Sequence, residues 1–488
     1  MKPRTLLLAL VPIFAFAAAA SGQAAAAACP EAAAAPLLSD PFSTGALVAK
    51  GAGESLDRPL LQPALPCQRA PTQALTLAEV VDLALCNNPQ TREAWANARY
   101  QAAQVGVAQS AYLPSANLAV SAARNSGSSS ASQGGGGGDL RYSQTQATLS
   151  ADYLLYDFGG RAANLENARQ LVAALNATQD ASLQAVFLAA VQAYYQWFAA
   201  QAQVAAANES ERAAGESLEA AIARQQVGTA TPADRLQAQT ALSQATLTRI
   251  RAENDARNAQ GNLAFAMGLP ADWPIVLVPP PQIKPDARFE RDVAALIAEA
   301  KRRRPDLAAA QAQVLAAQAG VASARAAGMP SISLFASRDN SRSSLFDPAQ
   351  SNTLGVSVSV PLFSGFGSHY RVSAAQAQVE TKRAQRDALA LQVGLDVWRA
   401  YQALQTENQA LRAAADLLAS ASESEQMARG RYRAGVGTIV DLLNAQSALA
   451  SARGQQVQEL YNWRLAKVSL AQAMGQLDYA AIEAQGQP

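Results

Sequence analysis

The sequence predicts an exported α+β membrane protein built from two copies of one unit, a helix, two strands and a long helical hairpin. Three observations carry that prediction. The 488-residue chain is 50% hydrophobic with only 6% aromatics, and alanine dominates its apolar share. Alanine is the best helix former and buries little area, so long helices packed closely side by side are favoured over a Leu/Phe-filled core. Landmarks recur at fixed offsets: Pro89 and Pro114 return as Pro305 and Pro330, 216 residues on. Gly228, Asp234, Leu242, Met267 and Gly268 return as Gly435, Asp441, Leu449, Met474 and Gly475, 207 residues on. Such self-similarity is the mark of a repeated structural unit.

At the N-terminus, Lys2 and Arg4 precede an apolar stretch from Leu6 to Ala20 and then small residues, the pattern of an export signal. No other segment reaches 18 uninterrupted apolar residues, so the chain does not enter a membrane as a hydrophobic helix. Three cysteines leave one over after any pairing. Cys67 and Cys86 flank a short segment that an oxidising compartment would let them bridge. For Cys29 three fates stay open: lipidation, removal with the signal, or a free thiol.

Each unit opens with a helix of about 22 residues, from Pro89 or Pro305 to just before Pro114 or Pro330. Arg302 to Arg304, before Pro305, suits a helix C-terminus, where cations meet the dipole favourably. Strands follow. Ala147, Leu149, Ala151, Tyr153 and Leu155 alternate with polar neighbours, as do Leu354, Val356, Val358, Val360 and Leu362. Their partners, Ala116 to Ala122 and Ile332 to Ala336, alternate more weakly, and Ser126–Gly138 reads as a flexible Ser/Gly loop.

After Asp157-Phe158-Gly159-Gly160 and Ser364-Gly365-Phe366-Gly367, the runs Arg161–Val227 and Ser368–Ala434 contain no proline. Each would be roughly 100 Å long as one helix. Gly228 and Gly435 fit the left-handed position ending a helix, and Thr231 and Thr438 fit the next N-cap, each with an aspartate three residues later. Pro279-Pro280-Pro281 and Pro285 mark a linker. The chain thus divides into a signal peptide (1–28), an extended arm (29–75), a first repeat (76–270), a linker or equatorial segment (271–304), a second repeat (305–476) and a tail (477–488).

Strands exposed to lipid must close into a barrel, and four strands cannot close around a lumen, so several chains would share one. Tyr156, Phe158, Phe363 and Phe366 gather at the strand-to-helix passages. Two readings stay open for them: rings at the membrane–water interface, or rings packing the junction.

The duplicated plan, the opening segment "LTLAEVVDLALCNNP", the strand exits "LLYDFGG" and "PLFSGFG", and the tip "RYRAGVGTIVDLLNAQSAL" together resemble the TolC-like outer-membrane factors, over residues 75–476. The resemblance implies a homotrimer with a shared twelve-strand β-barrel, four strands per chain, continued by a long α-helical periplasmic barrel. It also implies outer-membrane lipid around the barrel, a periplasmic adaptor (membrane fusion protein) and an inner-membrane transporter, most naturally of the ABC type. The function implied is an exit duct, with the "LCNNP" form resembling members that serve type I protein secretion and multidrug efflux as the alternative. The turns at Gly228, Thr231, Gly435, Gly437 and Thr438 then fall where the adaptor docks. Tyr432, Asp234 and Asp441 fall on the network that closes the periplasmic entrance, with Asp441 also on an acidic ring. Gly437 stands where that network has an arginine, and Asn444 where the ring has a second aspartate. The plain alternative for Asp234 and Asp441 is helix capping.

Other chemistries are not signalled. Lys plus Arg total 39 and Asp plus Glu 38, so no field attracts nucleic acid. The lone histidine, His369, cannot build a His-based metal site, no GxxxxGK loop occurs, and no cofactor is expected. A soluble periplasmic coiled-coil scaffold would explain the helices, but not the alternating strand pairs bracketed by aromatics.

Overall fold

The computed structural model describes residues 40–48, 74–129, 138–280, 292–345 and 347–477. Every element below lies within Phe42–Pro488. The signal segment, Cys29, Cys67, Pro281, Pro285 and the tail beyond Leu477 lie outside the described residues.

Helices α1 (Leu77–Asn87) and α2 (Pro89–Ser110) lead to strands β1 (Ser115–Ser129) and β2 (Gly138–Tyr156), then to α3 (Gly160–Gln226) and α4 (Pro232–Ala266). The same order follows as α5 (Val293–Arg303), α6 (Pro305–Ala326), β3 (Ser331–Ser343), β4 (Ala349–Ser359), α7 (Gly367–Ala434) and α8 (Ile439–Ala473). The 22-residue helices expected at Pro89 and Pro305 are α2 and α6, each with proline in its first turn. The segment 271–304 is more than a linker, because α5 sits in it 216 residues after α1. Asp292 starts α5 by accepting from the Ala294 amide at 3.0 Å. The basic run ends α5 as expected, and Arg304 also bridges Asp306 at 2.7 Å and Asp396 of α7 at 3.0 Å.

The long runs are continuous: α3 has 67 residues and α7 has 68, passing through Gly215, Gly394 and Gly430 unbroken. Side-chain pairs within each helix support these lengths, such as Arg212 between Glu209 and Glu216. Two apolar clusters pin the helices near mid-length. One gathers Val80, Val81 and Leu85 of α1 with Leu183, Phe187 and Tyr194 of α3, Leu263 of α4 and Val468 of α8. Tyr194 also donates to the Val278 carbonyl at 2.8 Å, and Leu75 pairs with Leu277 in a parallel bridge, tying the 271–304 segment to the start of α1. The other joins Leu296 of α5 to Val393, Val397 and Leu404 of α7 and Trp463 of α8. Elsewhere the contacts are largely alanine, including Ala207, Ala214 and Ala221 of α3. Small side chains let helix backbones approach closely with little apolar area per residue.

The four strands form one antiparallel sheet in the order β1-β2-β3-β4. The strands outrun the alternating patterns. Ser126 pairs with Arg141 and Ser129 with Gly138, so the supposed Ser/Gly loop begins as ladder, and only residues 130–137 remain outside the description. Backbone hydrogen bonds sustain that ladder whatever the side chain. In the opposite direction, β4 stops at Ser359, short of the expected Val360 and Leu362. Pro361 has no amide to donate, which ends the pairing there.

Register sorts the two faces. Leu118 stands opposite Leu149, Ala151 opposite Ala336, Ala336 opposite Leu354, and Leu334 opposite Val356, so one face is apolar nearest the helices. That face is bare in the single chain: Leu118 is 70% exposed and Leu354 75%. The other face is polar, with Thr148 donating to Asp339 at 2.6 Å and Asn117 opposite Ser150. Phe335 and Tyr142 are aromatic residues on that face, and the Phe335 ring fills the place a side chain at Gly355 would need, 2.7 Å from a Cβ there. No helix among the described residues is long and apolar enough to cross a membrane.

Candidate functional site

Both hairpins turn with the same backbone. Gly228 and Gly435 are left-handed, with φ of 78° and 81°, and their amides return to Gln225 and Tyr432 carbonyls at 3.1 Å. Beyond them, the Thr229 and Val436 amides return to the carbonyls of Arg224 and Arg431 at 2.9 and 3.0 Å. Thr231 and Thr438 then cap α4 and α8 in complete capping boxes. The Asp234 amide donates to Thr231 Oγ1 at 3.3 Å, while Asp234 Oδ2 accepts from the Thr231 amide at 2.8 Å. Asp441 repeats this, with its amide donating to Thr438 Oγ1 at 3.1 Å and Oδ2 accepting from that hydroxyl at 2.8 Å. The Thr438 hydroxyl and amide, with Arg431 nearby, hold the Asp441 carboxyl below the usual carboxylate range.

Tyr432 is placed differently. It is 4% exposed and packs with Ala221 of α3, Ala238 of α4, and Ile439 and Leu442 of α8, so one small core joins the tips of both hairpins. The Arg224 guanidinium lies 4.6 Å over its ring, and the Tyr432 hydroxyl is buried with no hydrogen-bond partner in the single chain. The structure therefore brings Tyr432 to an arginine from the neighbouring hairpin and leaves both aspartates in their own caps. Arg224 was not among the sequence candidates, because its partner, Tyr432, lies 208 residues away and meets it only through folding. A Cβ at Gly437 would lie 3.1 Å from Arg431 Cβ and from the Tyr432 amide nitrogen, close enough that those atoms would have to give by a few tenths of an ångström. In the first turn Ala230 stands at the corresponding position.

At the other end of the long helices, each strand-to-helix passage places two successive residues left-handed, one phenylalanine and one glycine. These are Phe158 and Gly159 at φ 50° and 90°, and Gly365 and Phe366 at φ 59° and 64°. A left-handed phenylalanine is strained. The rings pair edge to face, Tyr156 with Phe158 at 4.8 Å and Phe363 with Phe366 at 5.5 Å, yet stay open to the surroundings, with Phe363 76% exposed. His369, at the start of α7, stacks edge-on against Tyr370.

The first passage is braced by side chains that the sequence reading did not single out. Asp157 Oδ2 accepts the Arg161 amide at 2.6 Å. Arg161 donates to the Leu154 carbonyl at 2.7 Å and the Leu155 carbonyl at 3.1 Å, beside a register shift at the end of β2. Its guanidinium also lies 4.8 Å over Tyr112 at the end of α2. In the second passage Ser364 and Ser368 stand at the corresponding positions, 3.3 Å apart. Cys86, in α1, is disulfide-bonded, and Cys67 and Cys29 both lie outside the described residues.

A sequence profile described as outer membrane efflux protein matches residues 80–269 and 296–476. Protein CyaE of Bordetella pertussis is 32% identical over 413 residues, covering 84% of this chain and 86% of that protein. The pyoverdine export outer membrane protein OpmQ of Pseudomonas putida is 27% identical, covering 82% and 85%. Among solved structures, a membrane protein from Pseudomonas aeruginosa superposes with a TM-score of 0.73 at 25% identity, covering 82% of this chain and 93% of that one. The outer membrane protein VceC from Vibrio cholerae gives 0.71 at 20% identity, covering 82% and 96%, and supports the fold alone.

Proposed function

From the premise that this chain belongs to the outer membrane efflux protein family, and so resides in the outer membrane and extends into the periplasm, we propose that three copies close one twelve-strand barrel. The observation that carries this reading is the four-stranded sheet, apolar and bare on one face, with β1 and β4 each leaving an unpaired edge in the single chain. An open edge in lipid strands backbone donors and acceptors, and pairing β4 with β1 of the next copy satisfies them. The two runs of elements are then copies of one unit, and the α3–α4 and α7–α8 hairpins of three chains form a periplasmic tunnel roughly 100 Å long.

In this reading the duct receives cargo from an inner-membrane transporter of the ABC type through a periplasmic adaptor that docks at the turns of Gly228, Thr231, Gly435, Gly437 and Thr438. Type I protein secretion is the favoured service, on the "LCNNP" form ending at Pro89. Multidrug efflux is the alternative, since relatives include an outer membrane protein named for toluene efflux in Pseudomonas putida, 29% identical. Deleting the gene separates them: loss of an extracellular protein supports secretion, and drug sensitivity with an unchanged extracellular protein profile supports efflux. Phe158, Phe366, Tyr156 and Phe363 take the lipid interface. Cys67 is the proposed partner of Cys86, which peptide mapping without reduction checks.

The entrance is the part of the reading most open to direct test. Asp441, with Asp234 and Tyr432, is proposed to line and close it. Asp441→Asn keeps size and hydrogen-bonding capacity while removing charge. In planar bilayers it is expected to raise single-channel conductance and weaken block by divalent cations. Unchanged conductance and block would leave Asp441 as a cap only, and a detergent-solubilised protein with the mass of one chain would overturn the shared barrel.

A further inference from the structure

Strand register sorts the charges of the sheet as well as its apolar side chains. Arg124 of β1 stands opposite Ser143, Arg342 of β3 opposite Thr145, and Arg338 of β3 opposite Leu149 and Asn352. Side chains alternate between faces, so these arginines, and Arg141 of β2, share the face that carries Leu118, Leu149 and Leu354. Asp152 and Asp339 stand on the other face, where Asp339 accepts from Thr148 at 2.6 Å. Asp139 shares the arginine face, two residues before Arg141. Arg124, Arg338 and Arg342 are exposed, and among the described residues none of the three has an ion-pair or hydrogen-bond partner.

The three stand where that face turns from apolar to polar. The edge falls between Ala122 and Arg124 on β1, Ala147 and Thr145 on β2, Ala336 and Arg338 on β3, and Leu354 and Asn352 on β4. Ala122 stands opposite Thr145 but Ala336 opposite Ala151, so the edge crosses the register obliquely. Strands in a closed barrel tilt against its axis, and a level edge around a barrel crosses the register in this way. The helices extend into the periplasm, so this edge lies toward the exterior. It is cationic, whereas the edge nearest the helices carries Tyr156, Phe158, Phe363 and Phe366.

A shallow hollow of about 370 Å³ opens at the cationic edge. Ala151 and Ala336 lie side by side as its small-residue floor, with Leu354 beside them and Leu149 in the next row. Arg338 and Asn352 form its outward end. From the helices outward the lining is therefore hydrocarbon and then a cation with an amide, the order of groups in a lipid from chain to phosphate. The guanidinium fork meets phosphate oxygens two at a time, and the hydroxyls of Thr145 and Ser143 stand in the rows of Arg342 and Arg124.

We propose that this edge is a binding site for a phosphate-bearing lipid of the outer leaflet. One acyl chain lies in the hollow over Ala151 and Ala336, Arg338 holds the phosphate, and Arg342 and Arg124 continue the cationic edge beyond it. The inference rests on the shared barrel, since there this face meets lipid. A guanidinium beside hydrocarbon is costly, and a phosphate at the same depth offsets that cost. Free phosphate would engage the arginines and leave the hollow unfilled, so the hollow commits the site to a lipid.

Native mass spectrometry of the intact protein released from detergent reads subunit number and bound lipid in one spectrum. Titration with diphosphoryl lipid A is expected to give retained adducts on the native assembly, and Arg338→Gln is expected to bind on the order of tenfold more weakly. Arg338→Lys, which keeps the charge and loses the fork, is expected to fall between them. Ala336→Phe fills the hollow and spares every arginine. It is expected to weaken lipid A binding as well, and it serves should the arginine variants not assemble. Equal lipid A affinity in the native chain and in both Arg338→Gln and Ala336→Phe would overturn the site. Displacement of lipid A by inorganic phosphate, together with unchanged binding in Ala336→Phe, would make the edge a bare anion patch and overturn the lipid. A one-chain mass would overturn the shared barrel instead, whatever adducts it carried.

Discussion

The two passages from strand to long helix use the same left-handed pair of residues but differ in how the freed strand end is held. In the first, β2 runs to Tyr156 with three residues between it and α3, and Arg161 gathers the carbonyls of Leu154 and Leu155 while resting on Tyr112. In the second, β4 stops at Ser359 with seven residues between it and α7, and the positions of Asp157 and Arg161 hold serines whose hydroxyls are 3.3 Å apart. The backbone turn alone is therefore enough to redirect the chain. The charged brace at the first passage serves a different end, donating to two carbonyls beside the register shift at the end of β2.

Arg161→Ala is the largest test of that contrast. It removes two carbonyl donors and leaves Asp157 partly buried beside nothing cationic, so a loss of about 2–4 kcal/mol is expected against about 0.5 kcal/mol or less for Ser368→Ala. Thermal unfolding of both variants in one detergent reads the difference, and equal losses would erase it. Grafting the brace, with Ser364→Asp and Ser368→Arg together, should raise thermal stability by about 0.5–1.5 kcal/mol, less than the first passage loses because β4 ends too early to offer the same carbonyls. The smallest effect belongs to the rings. Asn accepts the left-handed conformation, so Phe366→Asn should change the detergent melt by about 1 kcal/mol or less, while weakening partition into liposomes. Equal partition would mean that the ring packs the junction and does not meet lipid.

Much of this fold could be read from local signals. Proline at both ends set α2 and α6, proline-free runs set α3 and α7, and the Gly–Thr–Asp spacing set both tips down to the capping boxes. The strand ends were harder, because Ser126–Ser129 pair through backbone groups that leave no trace in side-chain pattern. Helix α5, at 11 residues, was hidden among prolines. Within the candidate sites, Asp234 and Asp441 were legible as caps because a cap is local. Arg161 and Arg224 were not, since their partners, two strand carbonyls in one case and Tyr432 in the other, arrive from folding.

The aromatic cluster around Leu183, Phe187 and Tyr194 also sets a mechanical ratio. From Tyr195 to the end of α3 at Gln226, the helix projects roughly 45 Å beyond that fulcrum. Along this arm its buried side chains are small, Ala207, Ala214, Ser217 and Ala221, and the ties to neighbouring helices are polar, Glu211 to Arg249 at 2.6 Å and Ser217 to Gln446 at 2.9 Å. A rotation of about 5° at the fulcrum then carries the tip sideways by roughly 4 Å, more than the length of a hydrogen bond. Any rotation at the middle of α3 would therefore be largest where the two hairpins meet, at the core of Ala221, Tyr432 and Ile439.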